Sequence, residues 1–186
     1  MTHPDDPRPW QVLSRQYLVH KPPWLVLRQD HVRLPNGAEI AEYWVSEYPA
    51  WVNVIAVTPG AEVVLIRQYR HGLGAVHYEL PAGVVEPTDP DPETAARREL
   101  RAETGFDGGR WSRLLTLSAN PGLQSNLTHC FLAEGVERAG EPDPEATEDL
   151  RVHVTPVARI VPLIEAGDMV QALMVAPLLL FLSRSR

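Results

Sequence analysis

The chain has 186 residues, 44% hydrophobic and 22% charged, which describes one soluble globular domain with a sizeable core. Its net charge of −7 excludes a basic nucleic-acid-binding surface, though not an anionic small substrate met by a metal and a few arginines. Cys130 is the only cysteine, so an internal disulfide is excluded and a reducing, cytoplasmic setting is expected.

Residues 1–9 are Pro- and Asp-rich, lack a basic-then-apolar signal pattern and read as a frayed tail. From Val12 to about Tyr48 the chain is rich in β-branched and aromatic residues, and Asn36-Gly37 between two such runs predicts a hairpin. Two apolar strands flank Pro59-Gly60. A short strand in "HYELPAG" is expected to stop at Pro81 and Gly83, followed by a loop over "VEPTDPDP". Asp91 is a good N-cap and Pro92 a good first helical residue, so a helix is expected from Pro92 to about Thr104, closed by Gly105. Strands are expected near Arg113–Ser118, Leu127–Ala133 and Leu150–Val154, with a long acidic loop, "EGVERAGEPDPEATED", before the last. Helices follow at Val157–Ala166 and Met169–Ser183. The apolar run Ala172–Leu182 is too short to span a bilayer, so no membrane partner is expected. These elements predict an α/β fold with a mixed β-sheet sandwiched between helices, over 49–186. An antiparallel β-hairpin sheet is appended at 10–48.

The helix poses a chemical question. Glu99 and Glu103 share a face, and none of Arg97, Arg98 and Arg101 lies three or four positions from either. Like charges at that spacing destabilise a helix by roughly 0.2–0.5 kcal/mol. Glu103 also sits near the negative end of the helix dipole. A bound cation resolves both penalties; solvation, or arginines arriving from elsewhere, is the alternative. Glu93 and Arg97 form an i,i+4 pair on the opposite, solvated face. Ala95, Ala96 and Ala102 leave room for another backbone segment, and "LPAGVVE" is the natural one, because Gly83 permits close approach. Carboxylates joined by carbonyl oxygens make a hard donor set suited to Mg²⁺ or Mn²⁺.

The stretch "GVVEPTDPDPETAARRELRAETGF" resembles the Nudix box, G-x(5)-E-x(7)-R-E-U-x-E-E-x-G-U with U apolar. Gly83 matches its first glycine, Arg98-Glu99-Leu100 matches R-E-U, and Glu103, Gly105 and Phe106 match the closing E, G and U. "LIRQYRHG", "ELPAG" and "EDLRVHVTPVARIVPLIEAGDM" extend the likeness to the ADP-ribose and ADP-sugar pyrophosphatase branch. Three departures stand out. The span from Gly83 to Arg98 is one residue longer than the pattern, so the motif's first glutamate, which braces its arginine, has no exact match; Asp89, Asp91 and Glu93 are the nearby acids. Ala102 stands where the family usually has a metal-binding carboxylate. The water-activating glutamate of the branch aligns near Glu148 or Glu145, and by one alignment on Ala146.

The resemblance implies a Nudix fold and Mg²⁺-dependent hydrolysis of a nucleoside diphosphate sugar, ADP-ribose to AMP and ribose 5-phosphate. The alternatives are a GDP-sugar or dinucleotide substrate, or a ligand-binding domain with little catalysis. Glu99, Glu103 and the Ala82 carbonyl would hold the ion. Glu148 or Glu145 would handle the water. Arg70 would contact phosphate, unless it is a surface arginine at a strand end. Gly83, Arg98 and Gly105 would shape the motif. Trp24 and Tyr43 would stack on the base in a homodimer, with a core role as the alternative for such aromatics. The seven histidines lack zinc-ligand spacing, and Cys130 reads as a small buried hydrophobe.

Overall fold

The computed structural model describes residues 5–184, in two compact units. Part of the expected tail, residues 1–4, lies outside the described residues; residues 6–10 carry no regular structure and are exposed.

The first unit is an antiparallel sheet of β1 (Gln11–Lys21), β2 (Leu25–Arg33) and β3 (Glu39–Glu47), in that order. The β2–β3 hairpin turns at Asn36-Gly37: Gly37 has φ 87°, and the Asn36 Oδ1 accepts the Ala38 N–H at 3.0 Å. Residues 120–126 join this unit, with the Ser46 N–H donating to the Leu123 carbonyl at 2.7 Å. Val26, Val32 and Val45 are buried with Asp30, whose charge is answered by Arg15 at 2.8 Å and Arg28 at 3.3 Å.

The second unit holds a mixed sheet with strands β4 (Trp51–Val57), β5 (Glu62–Arg70), β8 (Phe106–Leu117), β9 (Thr128–Arg138) and β10 (Leu150–Pro156), ordered β10-β5-β4-β9-β8. Only β4 and β9 run parallel in that path; β6 (Ala75–Glu79) pairs with β5 and β7 (Ala82–Val84) with β4. Strand alternation sends Val52, Val54, Ala56 and Val64 to one face, where they pack with Ala95, Ala96 and Leu100 of α1 (Pro92–Thr104). Ile55, Val63 and Leu65 point the other way, toward α2 (Ile160–Glu165) and α3 (Ala172–Arg184). Pro177 interrupts α3 and cannot donate to the carbonyl of Leu173. That carbonyl instead accepts the side-chain amide of Asn53 on β4, at 2.8 Å, which ties helix to sheet. Among the described residues no helix is long and apolar enough to cross a membrane.

Several boundaries differ from the sequence reading. Residues 82–84 form β7 rather than ending a strand, because the chain resumes pairing after Pro81, with Val52 opposite Gly83. β8 begins at Phe106 and β9 runs on to Arg138, paired from Phe106↔Arg138 to Leu117↔Thr128. Exposed charges and the positive-φ residues Gly108, Gly109 and Gly135 disguise those strand ends as loop. The acidic loop therefore covers only 139–149. The helix expected from Val157 opens as a 3₁₀ turn, Val157–Arg159, and the last helix starts at Ala172, leaving the buried Met169 ahead of it.

Candidate active site

Helix α1 is fixed at both ends by its own sequence. The Asp91 carboxylate accepts the Thr94 N–H at 2.8 Å, and Gly105 closes the helix at φ 73°, its N–H on the Arg101 carbonyl at 2.9 Å. Between the caps, Leu100, Ala95 and Ala96 anchor one side to the sheet, which carries Glu99 and Glu103 over β7. Glu93 and Arg97 pair at 2.7 Å on the far side, as expected.

Glu103 is 1% exposed, so it is not solvated, and its hydrogen-bond donor among the described residues is a backbone N–H rather than an arginine. Its Oε2 accepts the Ala82 N–H at 2.9 Å. Burial pushes its pKa well above the ordinary carboxylate range, and the charges of Glu99 and Glu148 push the same way; the Ala82 N–H and Arg70 oppose them. Glu99 lies against Gly83: a Cβ there would stand 2.1 Å from Oε1. The absent side chain is the cradle for that carboxylate. Burial also raises the pKa of Glu99, with Glu148 and Glu145 adding to it and Arg98 opposing.

The expectation that no basic residue answers Glu99 is corrected here. Its chain neighbour Arg98 curls back and donates to Glu99 Oε1 at 2.9 Å. Arg98 also donates to the Val84 carbonyl at 3.0 Å and to Asp89 at 3.1 Å. Asp89 therefore braces the motif arginine, while Asp91 caps the helix and Glu93 pairs with Arg97. The guanidinium holds the Asp89 carboxyl below its usual range. Asp89 keeps the motif's spacing from Gly83, so the added residue lies between Asp89 and Arg98, where the chain turns into the helix.

Arg70, at the end of β5, is held by Glu79 through two hydrogen bonds: Nε to Oε1 at 2.9 Å and Nη2 to Oε2 at 2.6 Å. It is thus not a loose surface arginine, and the fields of Glu103 and Glu148 reach it. Glu79 is 2% exposed and was not singled out by the sequence reading, although "ELPAG" displays it directly before the Gly83 segment. In the acidic loop the Asp143 N–H donates to the Ala102 carbonyl at 2.8 Å, so the loop lies along the end of α1. Glu148 is half-buried and accepts the Glu145 N–H at 2.9 Å; Glu145 is exposed. Trp24 and Tyr43 belong to the first unit. Trp24 is 78% exposed, so it is not core. Tyr43 donates its hydroxyl to the Gly122 carbonyl at 2.6 Å and packs edge-on against Trp10. Cys130 is fully buried, which pushes its thiol up to about 11.

Among the described residues no group of three His, Cys, Asp or Glu side chains is arranged to hold an ion unaided. Two carboxylates suit an ion that keeps several waters and takes further oxygens from substrate phosphates, as Mg²⁺ does. Burial and its acidic neighbours disfavour the charged form of Glu103, and a divalent cation at this face would offset that cost.

The NUDIX domain model matches residues 47–174, and the model of the nucleoside diphosphate sugar hydrolase N-terminal domain matches residues 10–46. The chain belongs to the Nudix hydrolase family. An ADP-ribose pyrophosphatase of Mycobacterium tuberculosis is 30% identical over 162 residues, 87% of this chain and 78% of that protein. An ADP-ribose pyrophosphatase of Bacillus subtilis is 33% identical over 69% of this chain and 68% of its own length. A crystal structure of an ADP compounds hydrolase matches the fold with a TM-score of 0.83 over 96% of this chain and 95% of its own, at 21% identity. The Nudix hydrolase thus carries its box on β7, the 85–91 loop and α1, with Ala102 in place of one motif acid.

Proposed function

We propose that this Nudix hydrolase cleaves the diphosphate of a nucleoside diphosphate sugar, ADP-ribose to AMP and ribose 5-phosphate, with Mg²⁺ as its ion and Mn²⁺ as a substitute. The observation that carries the reading is the Glu99–Glu103 face: two carboxylates packed on β7, one of them buried with a backbone N–H as its hydrogen-bond donor. Two relatives named ADP-ribose pyrophosphatase support the substrate.

Glu99, Glu103 and the Ala82 carbonyl would hold the cation, which when bound offsets charge on the phosphate oxygens. Arg70 turns its outer guanidinium edge to the diphosphate. Glu148 orients the attacking water and takes its proton at a carboxylate oxygen. Glu148 is favoured over Glu145 because it is half-buried at the foot of β10, and its field reaches both Glu99 and Glu103. Trp24, exposed on the first unit, and Tyr43, its hydroxyl held by the Gly122 carbonyl, would stack on the base in a homodimer.

Ala102 favours a second reading, a nucleotide-binding Nudix domain with little turnover, because one motif carboxylate is missing. Incubation with ADP-ribose, ADP-glucose, GDP-mannose and a dinucleotide, with Mg²⁺, with Mn²⁺ and with chelator, decides between the two. AMP released from ADP-ribose only with metal is the expected result. Binding of ADP-ribose without product supports the second reading.

A further inference from the structure

Arg70 and Glu79 make the only two-bonded arginine–carboxylate pair on the α1 face of the sheet that also neighbours Glu103 among the described residues. Sequence register explains how they meet. Glu79 lies opposite Ile66 on β5, and Arg70 follows four positions later on the same face of that strand. The long arginine side chain spans the remaining distance. The pair is lopsided: the Glu79 side chain is 3% exposed and that of Arg70 is 41% exposed. Both Glu79 oxygens are engaged, so the inner guanidinium edge is occupied and the remaining N–H groups lie on its outer edge.

A buried ion pair contributes weakly to stability compared with apolar residues of similar volume. The surroundings supply a different reason for this one. Arg70 is hydrogen-bonded to Glu79 and also feels the charges of Glu103 and Glu148, so a half-buried guanidinium released from Glu79 has two further carboxylates within electrostatic reach. A contact with Glu103 would take up a carboxylate that must remain open to a cation, and one with Glu148 would take up the group that handles the water.

We propose that Glu79 is a positioning residue with two effects: it aims the outer edge of Arg70 at the substrate diphosphate, and it keeps Arg70 off Glu103 and Glu148. The proposal rests on the reading that Glu99 and Glu103 hold a divalent cation. A structural brace alone would not connect Glu79 to metal affinity through Arg70.

Mn²⁺ titration followed by electron paramagnetic resonance tests this without turnover. E79Q should weaken Mn²⁺ binding about tenfold, whereas E79Q added to R70Q should change nothing relative to R70Q alone. With ADP-ribose, E79Q and R70Q should raise KM by similar factors, and the double variant should be no worse than R70Q. Parental Mn²⁺ affinity in E79Q overturns the proposal. So does an equal loss in the R70Q background, which would make Glu79 a mere source of charge or of packing. E79D keeps the charge while shortening the reach to Arg70, and the same comparisons apply to it if E79Q does not fold. E103Q is the control: unchanged Mn²⁺ affinity there overturns the metal-site reading, and the role of Glu79 with it.

Discussion

A carboxyl group that is 1% exposed and accepts a single backbone N–H is more easily protonated than one in water, and this gives Glu103 a pH signature. Its folded pKa, like that of Glu99, lies above the ordinary 4.5. Above 4.5 and up to those raised values the native state binds more protons than the unfolded chain, so stability falls as pH rises through the window. Asp89 has the opposite sign: its lowered value contributes stability above about 3.8, lost as pH falls. Metal-free protein should therefore melt at progressively lower temperature as pH rises above 4.5. Saturating Mn²⁺ should reverse that trend, because it binds the native state. Glu103→Gln should raise the metal-free melting temperature at neutral pH and flatten the slope, while abolishing most turnover. Relief of the i,i+4 repulsion alone is worth about 0.2–0.5 kcal/mol, and burial of the charge adds to it. Equal slopes in parent and variant would show that another group titrates. For the water-activating residue, Glu148→Gln should lower the catalytic rate by about 10²–10⁴, as loss of a general base does. Glu145→Gln should do less, since Glu145 is exposed and meets the turn through its backbone. A larger loss at Glu145 under saturating Mg²⁺ reverses the assignment.

At the scale of elements, β7 and α1 form one device, and two glycines separate its chemistry from its folding. Gly83 has an ordinary extended backbone, and the nearest atoms to an added Cβ are those at the end of the Glu99 side chain. Gly83→Ala should fold with nearly parental melting yet displace Glu99, weakening Mn²⁺ binding by about tenfold, or about 1.4 kcal/mol. Gly105 has φ 73° and would drive a Cβ to 2.3 Å from the Gly140 carbonyl oxygen. Gly105→Ala should destabilise the fold by more than about 1 kcal/mol, read as a lowered melting temperature. If both variants lose only stability, Gly83 is a packing residue and the cradle is not functional. Much of this device was legible in the sequence. The cap at Asp91, the helix to Thr104 and the closure at Gly105 follow from local chemistry that acts within a few residues. The Gly83 approach was legible too, because only a missing side chain fits beside Glu99. What escaped depends on non-local pairing. β7 exists because β4 offers it a partner, and the glycine-rich ends of β8 and β9 support each other although neither reads as a strand. The Arg70–Glu79 pair and the Asp89 brace each link residues nine apart across a change of element, a distance that no periodic pattern reports.

For the whole molecule, the two units carry different chemistry. The second unit carries the acidic face, while the first exposes Tyr17 and Trp44 on its three-stranded sheet and Trp10 and Trp24 beside the strands, over a small buried set. Aromatics left at the surface of so short a sheet suit a base, a second copy of the chain, or both, since a ring offers large contact area with little entropy to lose. Trp24 distinguishes these uses. At 78% exposure it holds no core together, so Trp24→Ala should change stability by less than about 0.5 kcal/mol. If it stacks on the adenine, KM for ADP-ribose should rise about tenfold, equivalent to about 1.4 kcal/mol. The catalytic rate at saturation and the mass in solution should then stay unchanged. Tyr43→Phe is the companion variant: its hydroxyl is held by the Gly122 carbonyl at 2.6 Å, so removing it should loosen residues 120–126 and lower the melting temperature. Light scattering and substrate titration on the two variants separate the roles. A Trp24 variant that falls to half the parental mass makes that residue an interface contact. One with parental KM and parental mass removes it from the substrate site, and leaves adenine recognition to other residues.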